Sequence, residues 1–163
     1  MGRSRGGLST KIHALVDGHG LPLAIILTPG QAGDNPQAVP LLESLRVARR
    51  RGRPRTRPDE VRADKAYSSA EVRNFCRTHH ITATIPEPDD RIANRKRKGS
   101  RGGRPPAFDK ESYKGRNVIE RRFCDVKQWR GIATRYDKLA VIFRAGVMCV
   151  VMVAWLKYLS NTP

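Results

Sequence analysis

Near its start the chain carries two apolar segments joined by a tight turn cluster. Residues 11–16 alternate apolar and polar side chains, the period of a half-buried strand. Asp17-Gly18-His19-Gly20 follows, and residues 21–28 form a second apolar run. Apolar runs flanking an Asp-Gly turn predict a β-hairpin. Downstream the period changes. Ala38, Leu41, Leu42 and Leu45 mark one helical face, with Asp34 or Asn35 as N-cap and Pro36 and Pro40 in the first turns, where proline is best tolerated. A short strand around Val61 and Ala63 ends near Asp64. Ser68 and Glu71 fit a capping box, so a helix begins there and runs to about His79. Residues 81–85 read as a strand, about 113–129 as a long helix, and about 139–159 as a last apolar helix. The order is β-β-α-β-α-β, then a basic segment, then α-α, which is an α/β pattern. A length of 163 residues favours one domain.

Charge narrows the partners. The chain has 32 Lys and Arg against 15 Asp and Glu, a net charge of +17. Such an excess points to a polyanion, nucleic acid first. Residues 46–58 hold seven arginines and no acid and read as a basic loop. Residues 86–112 are rich in Pro, Gly, Arg and Lys, with the densest run at 91–104, and are expected to be a loop or disordered insertion. Three cysteines, far apart, suggest no disulfide framework and fit a reducing cytoplasm. The apolar run 145–156, closed by Arg144 and Lys157, is too short for a bilayer span and reads as a buried helix, so no membrane is expected as a partner. Cys76, His79 and His80 lack a fourth ligand at zinc spacing, and Cys76 reads as a buried free thiol. His13 reads as a packed or edge-exposed strand residue and Trp155 as core, while Trp129, which follows Lys127, reads either as core or as a stacking platform.

Two acids stand out in this basic chain. Asp64 lies at the end of an apolar strand, where ligands collect in α/β sheets, although Asp is also common as a plain turn residue. On a helix at about 100° per residue, Tyr113, Arg116, Glu120 and Lys127 fall on one narrow stripe. Beside it runs an apolar stripe of Val118, Ile119, Phe123 and Val126. That line reads either as a solvated face with an Arg116–Glu120 ion pair, or as a site. Carboxylates hold Mg²⁺, and Arg and Lys hold phosphates, so the same residues suit a metal-bound phosphodiester. In that case the two carboxylates should lie roughly 4–8 Å apart.

At these positions the sequence resembles the catalytic domain of prokaryotic DDE insertion-sequence transposases, the insertion sequence five group in particular. Tyr113-x2-Arg116-x3-Glu120-x6-Lys127 matches that superfamily's Tyr-Arg-Glu-Lys signature. Asp64-Lys65-Ala66-Tyr67 is similar to the segment bearing its second catalytic Asp. Residues 2–11, Thr28-Pro-Gly-Gln31 and Gln128-Trp-Arg-Gly-Ile-Ala133 also resemble the group. The resemblance implies an RNase H-like, DDE integrase-type fold over residues 1–163, a mixed sheet flanked by helices. It implies Mg²⁺-dependent cutting and joining of DNA at inverted-repeat ends, in the cytoplasm at the nucleoid. Asp64 and Glu120 would be the catalytic metal ligands of a two-metal site. Tyr113, Arg116, Lys127, Arg130 and Lys11 would touch DNA.

The family needs three acids, and its first sits on the first strand of the fold. No such strand precedes Arg3, and Asp17 reads as a hairpin-turn residue. The chain therefore resembles a downstream-frame product or a truncated fragment, inactive alone. An upstream-frame polypeptide is then an expected partner, alongside DNA and a homo-oligomer on DNA. The alternatives are a non-catalytic basic nucleic-acid-binding protein or a decayed transposase remnant.

Overall fold

The structure, a computed structural model, describes residues 2–4, 7–134, 137 and 139–161. The hairpin forms as its alternation predicts. Strands β2 (Gly7–Val16) and β3 (Pro22–Pro29) pair antiparallel from Thr10 opposite Pro29 to Val16 opposite Pro22. Asp17 closes the turn: its Oδ1 accepts the His19 amide at 2.9 Å and the Leu21 amide at 2.8 Å. Gly20 sits at φ 80°, a backbone region that favours glycine. His13 is buried, and its Nε2 lies 2.7 Å from Thr28 Oγ1 on the partner strand. A three-residue strand β1 (Gly2–Ser4) pairs with the beginning of β2. Within the 2–11 motif, Arg5 and Gly6 lie outside the described residues.

A second sheet is parallel. Strands β4 (Glu60–Arg62) and β5 (Thr82–Thr84) are joined through helix α2 (Ala70–Thr78). Helix α1 (Ala38–Glu43) precedes them. One core packs this half: Ala38, Val72, Cys76, Ile81 and Ile85, lined by Val61, Ala63, Tyr67 and Phe75. The expected single mixed sheet is therefore two sheets, one antiparallel and one parallel. A ladder needs strands about 4.8 Å apart, and among the described strands none pairs with both β2 and β4. The N-cap of α2 is Ser69, whose Oγ accepts the Val72 amide at 3.1 Å, rather than Ser68. Ser68 is buried instead, taking hydrogen bonds from Arg73 at its hydroxyl and from Arg91 at its carbonyl.

The basic segment 86–112 is largely ordered, against expectation. Helix α3 (Asp89–Arg97) opens with Asp89 and Asp90 and closes with Arg95, Lys96 and Arg97, the charge order the helix dipole favours. Arg95 pairs with Glu87 at 2.5 Å, both side chains mostly buried. Composition alone conceals this, because the order of the charges rather than their number makes the helix. Residues 46–58 do form an irregular loop, with one isolated antiparallel bridge between Val47 and Arg55.

The expected helix over 113–129 is broken into α4 (Lys110–Lys114), α5 (Asn117–Lys127) and α6 (Arg130–Ala133). Gly115 is the C-cap of α4, and the next turn tightens: the Arg116 amide bonds Tyr113 O and the Val118 amide bonds Gly115 O. Helix α5 is tied to the hairpin tip by Arg122, whose Nε donates to Gly20 O at 2.6 Å.

The last helix, α7 (Ala140–Ser160), buries Phe143, Val147, Val150 and Val151. Trp155 Nε1 donates to Pro22 O at 3.0 Å and fastens α7 to β3. The helix matches the span expected for it, but two readings of its apolar run fail. With Arg144 and Lys157 inside it, the helix is by length and composition long and apolar enough to cross a membrane. It is also buried on one side only.

Candidate active site at the end of β4

The pleat places Glu60 and Arg62, two residues apart, on one side of β4. There they meet α4. Arg62 Nη2 lies 2.7 Å from Glu60 Oε2, and Arg62 Nε donates to Ser112 Oγ at 2.9 Å. Glu60 Oε1 accepts from Thr84 Oγ1 at 2.5 Å and from the Ser112 hydroxyl. The Arg62 hydrogen bond, opposed by partial burial and aided by Ser112 and Thr84, lowers the Glu60 carboxyl to about 2. This network clamps the beginning of the Tyr-Arg-Glu-Lys segment onto β4, whose last residue precedes Asp64 by two.

Asp64 caps the 3₁₀ turn Lys65–Tyr67, with Oδ1 accepting the Ala66 amide at 3.4 Å. The turn role is real, but that contact is long for a hydrogen bond. Among the described residues Asp64 has no ion pair, and it is only half-buried.

Across from it, the break at Gly115 leaves Tyr113 on α4 and Arg116 at the N-cap of α5. Three of the four stripe residues still meet. The Arg116 guanidinium lies 5.5 Å from the centre of the Tyr113 ring and donates to Glu120 Oε1 at 2.6 Å. Burial depresses Arg116, but Tyr113, the Glu120 hydrogen bond and charge, and the Asp64 charge outweigh it, so its pKa rises. Asp64 therefore lies within electrostatic reach of the guanidinium that holds Glu120. Tyr67 reports the same crowding: burial raises its hydroxyl first, then the charges of Asp34 and Asp64.

The remaining expected residues are more dispersed. Lys127 ends α5 and Arg130 begins α6, both exposed. Lys11 is engaged, with its Nζ 3.1 Å from Asp34 Oδ1 and 2.8 Å from Ala32 O. Trp129 is 46% exposed rather than core, while Trp155 is half-buried. Cys76 is buried, and burial pushes its thiol up. Among the described residues no group of three or more His, Cys, Asp or Glu side chains could hold a metal ion.

The sequence profile of the transposase DDE domain matches residues 2–156. The chain belongs to the DDE transposase family. It is 35% identical over 151 residues to a Brucella ovis protein named as the transposase for insertion sequence element IS6501, covering 92% of this chain and 100% of that one. It is 32% identical over 144 residues to a Burkholderia cepacia protein named as the transposase for insertion sequence element IS402, covering 88% of this chain but 60% of that one. No solved structure matches. Membership carries the general activity of DDE transposases, DNA transposition by nuclease and strand-transferase chemistry with a divalent metal, and DNA as partner. Within this transposase domain, sequence reasoning missed the Glu60–Arg62–Ser112 clamp. The Glu-x-Arg spacing on β4 was its only signal, since Ser112 joins it from fifty residues away.

Proposed function

We propose that this domain cleaves and joins DNA at insertion-sequence ends, as a member of the insertion sequence five group, with Asp64 and Glu120 as its metal-holding catalytic carboxylates. The observation that carries the reading is the clamp. It docks α4, which carries Tyr113, against β4 just before Asp64, and the charges of both Asp64 and Glu120 act on Arg116, which supports a shared site.

The two carboxylates are hard oxygen donors that suit Mg²⁺, but two donors are too few for a two-ion site. When bound, two Mg²⁺ ions would stabilise the attacking and leaving oxygens of an in-line displacement. A third carboxylate would come from a strand added beside residues 10–16 of β2, where β3 occupies one edge. That strand belongs to upstream sequence or to an upstream-frame polypeptide, and the chain alone is inactive. Arg116, fixed between Tyr113 and Glu120, orients the Glu120 carboxylate. Tyr113, Arg116, Lys127, Arg130 and Lys11 contact phosphates of the ends and target, with Lys11 exchanging Asp34 for DNA. The protein works as an oligomer on DNA, at the nucleoid.

The test is nicking of element-end DNA by the purified chain in Mg²⁺ or Mn²⁺, with and without a polypeptide supplying the upstream strand and its Asp. Nicking only in the supplemented reaction supports the reading. DNA binding with no nicking under any supplement identifies a decayed remnant or a plain nucleic-acid-binding protein.

A further inference from the structure

The outer side of α7 is the largest feature that the proposed chemistry leaves unused. Val141 is 72% exposed, Ile142 50%, Met148 41%, Met152 54%, Leu156 65% and Leu159 61%. Ala145 and Cys149 are exposed between them. At about 100° per residue these eight positions share an arc of roughly 120°, opposite the buried Phe143, Val147 and Val150. The stripe is about 27 Å long and contains no charge, for Arg144 and Lys157 fall on its two flanks. Six large side chains offering on the order of 100 Å² each approach the roughly 800 Å² per partner of a standard interface. A continuous apolar patch of that size marks a binding surface on a monomer.

We propose that this face packs antiparallel against the same face of a second copy of the chain, about a two-fold axis at the level of Val150. The spacing is self-complementary. Val141 and Leu159 lie nine residues on either side of Val150, and Met148 and Met152 two residues on either side. Ala145 and Leu156 lie five and six away, a small residue facing a large one. Isologous pairing requires a face that matches itself when reversed, and this stripe meets that requirement. DNA does not fit a stripe without cations. To span a bilayer α7 would have to leave the sheet, breaking the Trp155–Pro22 bond and exposing Phe143 and Val147. The pairing also brings the two Cys149 side chains together on one flank, close to the axis. Like the stripe, it does not depend on the chemistry proposed for Asp64 and Glu120.

The test uses the full chain. Sedimentation equilibrium at micromolar concentration should give a dimer. Met148→Glu with Met152→Glu should weaken it at least tenfold with unchanged far-ultraviolet circular dichroism, since both side chains already face solvent in one copy. Mild oxidation of the unsubstituted protein should give a disulfide-linked dimer that Cys149→Ser abolishes and Cys124→Ser does not. This second arm stands if the double variant fails to fold. A monomer, a dimer indifferent to the glutamates, a cross-link through Cys124, or binding to phosphatidylglycerol vesicles in place of dimerisation would each overturn the proposal. So would α7 being covered by an added upstream polypeptide rather than by a second copy.

Discussion

Two carboxylates in adjoining parts of this fold are each paired with an arginine, yet they sit in opposite circumstances. Glu60, on β4, is saturated: Arg62, Thr84 and Ser112 all bond it, and its side chain is 25% exposed. Glu120, on α5, has Arg116 as its one side-chain partner among the described residues and is 55% exposed. The first arrangement uses every lone pair to hold elements together. The second leaves oxygen free for a ligand, on a scaffold that the first has fixed. Asp64 resembles Glu120 in this respect, with one long backbone contact and no ion pair among the described residues. Saturation separates the acids that build the site from the acids left to serve it.

The largest expected effect breaks the comparison on its open side. Asp64→Ala or Glu120→Ala should cut nicking in the supplemented reaction on the order of 10³-fold or more, while thermal stability and DNA binding stay at the parental values. A comparable loss of stability would mean that these acids are structural after all.

On the saturated side, Glu60→Ala should cost about 2–3 kcal/mol in urea unfolding, because it strands Arg62, Thr84 and Ser112 together. Its activity should fall with the loss of α4 docking. Full stability in this variant would remove the clamp from the account.

Acid sharpens the same contrast. The folded Glu60 carboxyl, at about 2, lies below its ordinary 4.5. Between these values the unfolded chain binds more protons, so stability rises with pH through that window. The contribution is complete above about pH 4.5 and fades toward pH 2. It amounts to about 1–2 kcal/mol once solvent screening is allowed for. Glu60→Gln should flatten this part of the stability profile, measured by urea unfolding across pH.

The smallest effect on stability belongs to Arg116→Ala. An exposed i,i+4 pair contributes about 0.5 kcal/mol. Its consequence should instead appear in affinity for element ends, measured by titration across salt, where loss of one phosphate contact lowers the salt slope by about one unit.

Much of this was legible in the sequence, for local reasons. The hairpin announces itself by alternation around Asp-Gly, and the Asp17 side chain and backbone both bond across the turn. Asp64 was placed at a strand end by Val61 and Ala63. Glu120 and Arg116 were paired by spacing alone, and the pair survives the helix break because Arg116 begins the helix that carries Glu120. What stayed hidden depends on distant partners or on charge order. Ser112 reaches Glu60 across 52 positions, which no periodicity records. Helix α3 forms in a stretch whose composition reads as a loop, because its acids lead and its bases trail. The exposed side of α7 was hidden by a run uniformly apolar enough to read as buried all round.

The central claim, that Asp64 and Glu120 serve one ion, is tested most directly by Mn²⁺ binding in a double-substitution cycle. Mn²⁺ is titrated into the parental chain, Asp64→Ala, Glu120→Ala and the double variant, with calorimetric readout. Two acids that share an ion predict that either single substitution abolishes the binding that both support, with the double variant no worse than either single one. Independent, additive losses, or binding that neither substitution touches, would contradict it.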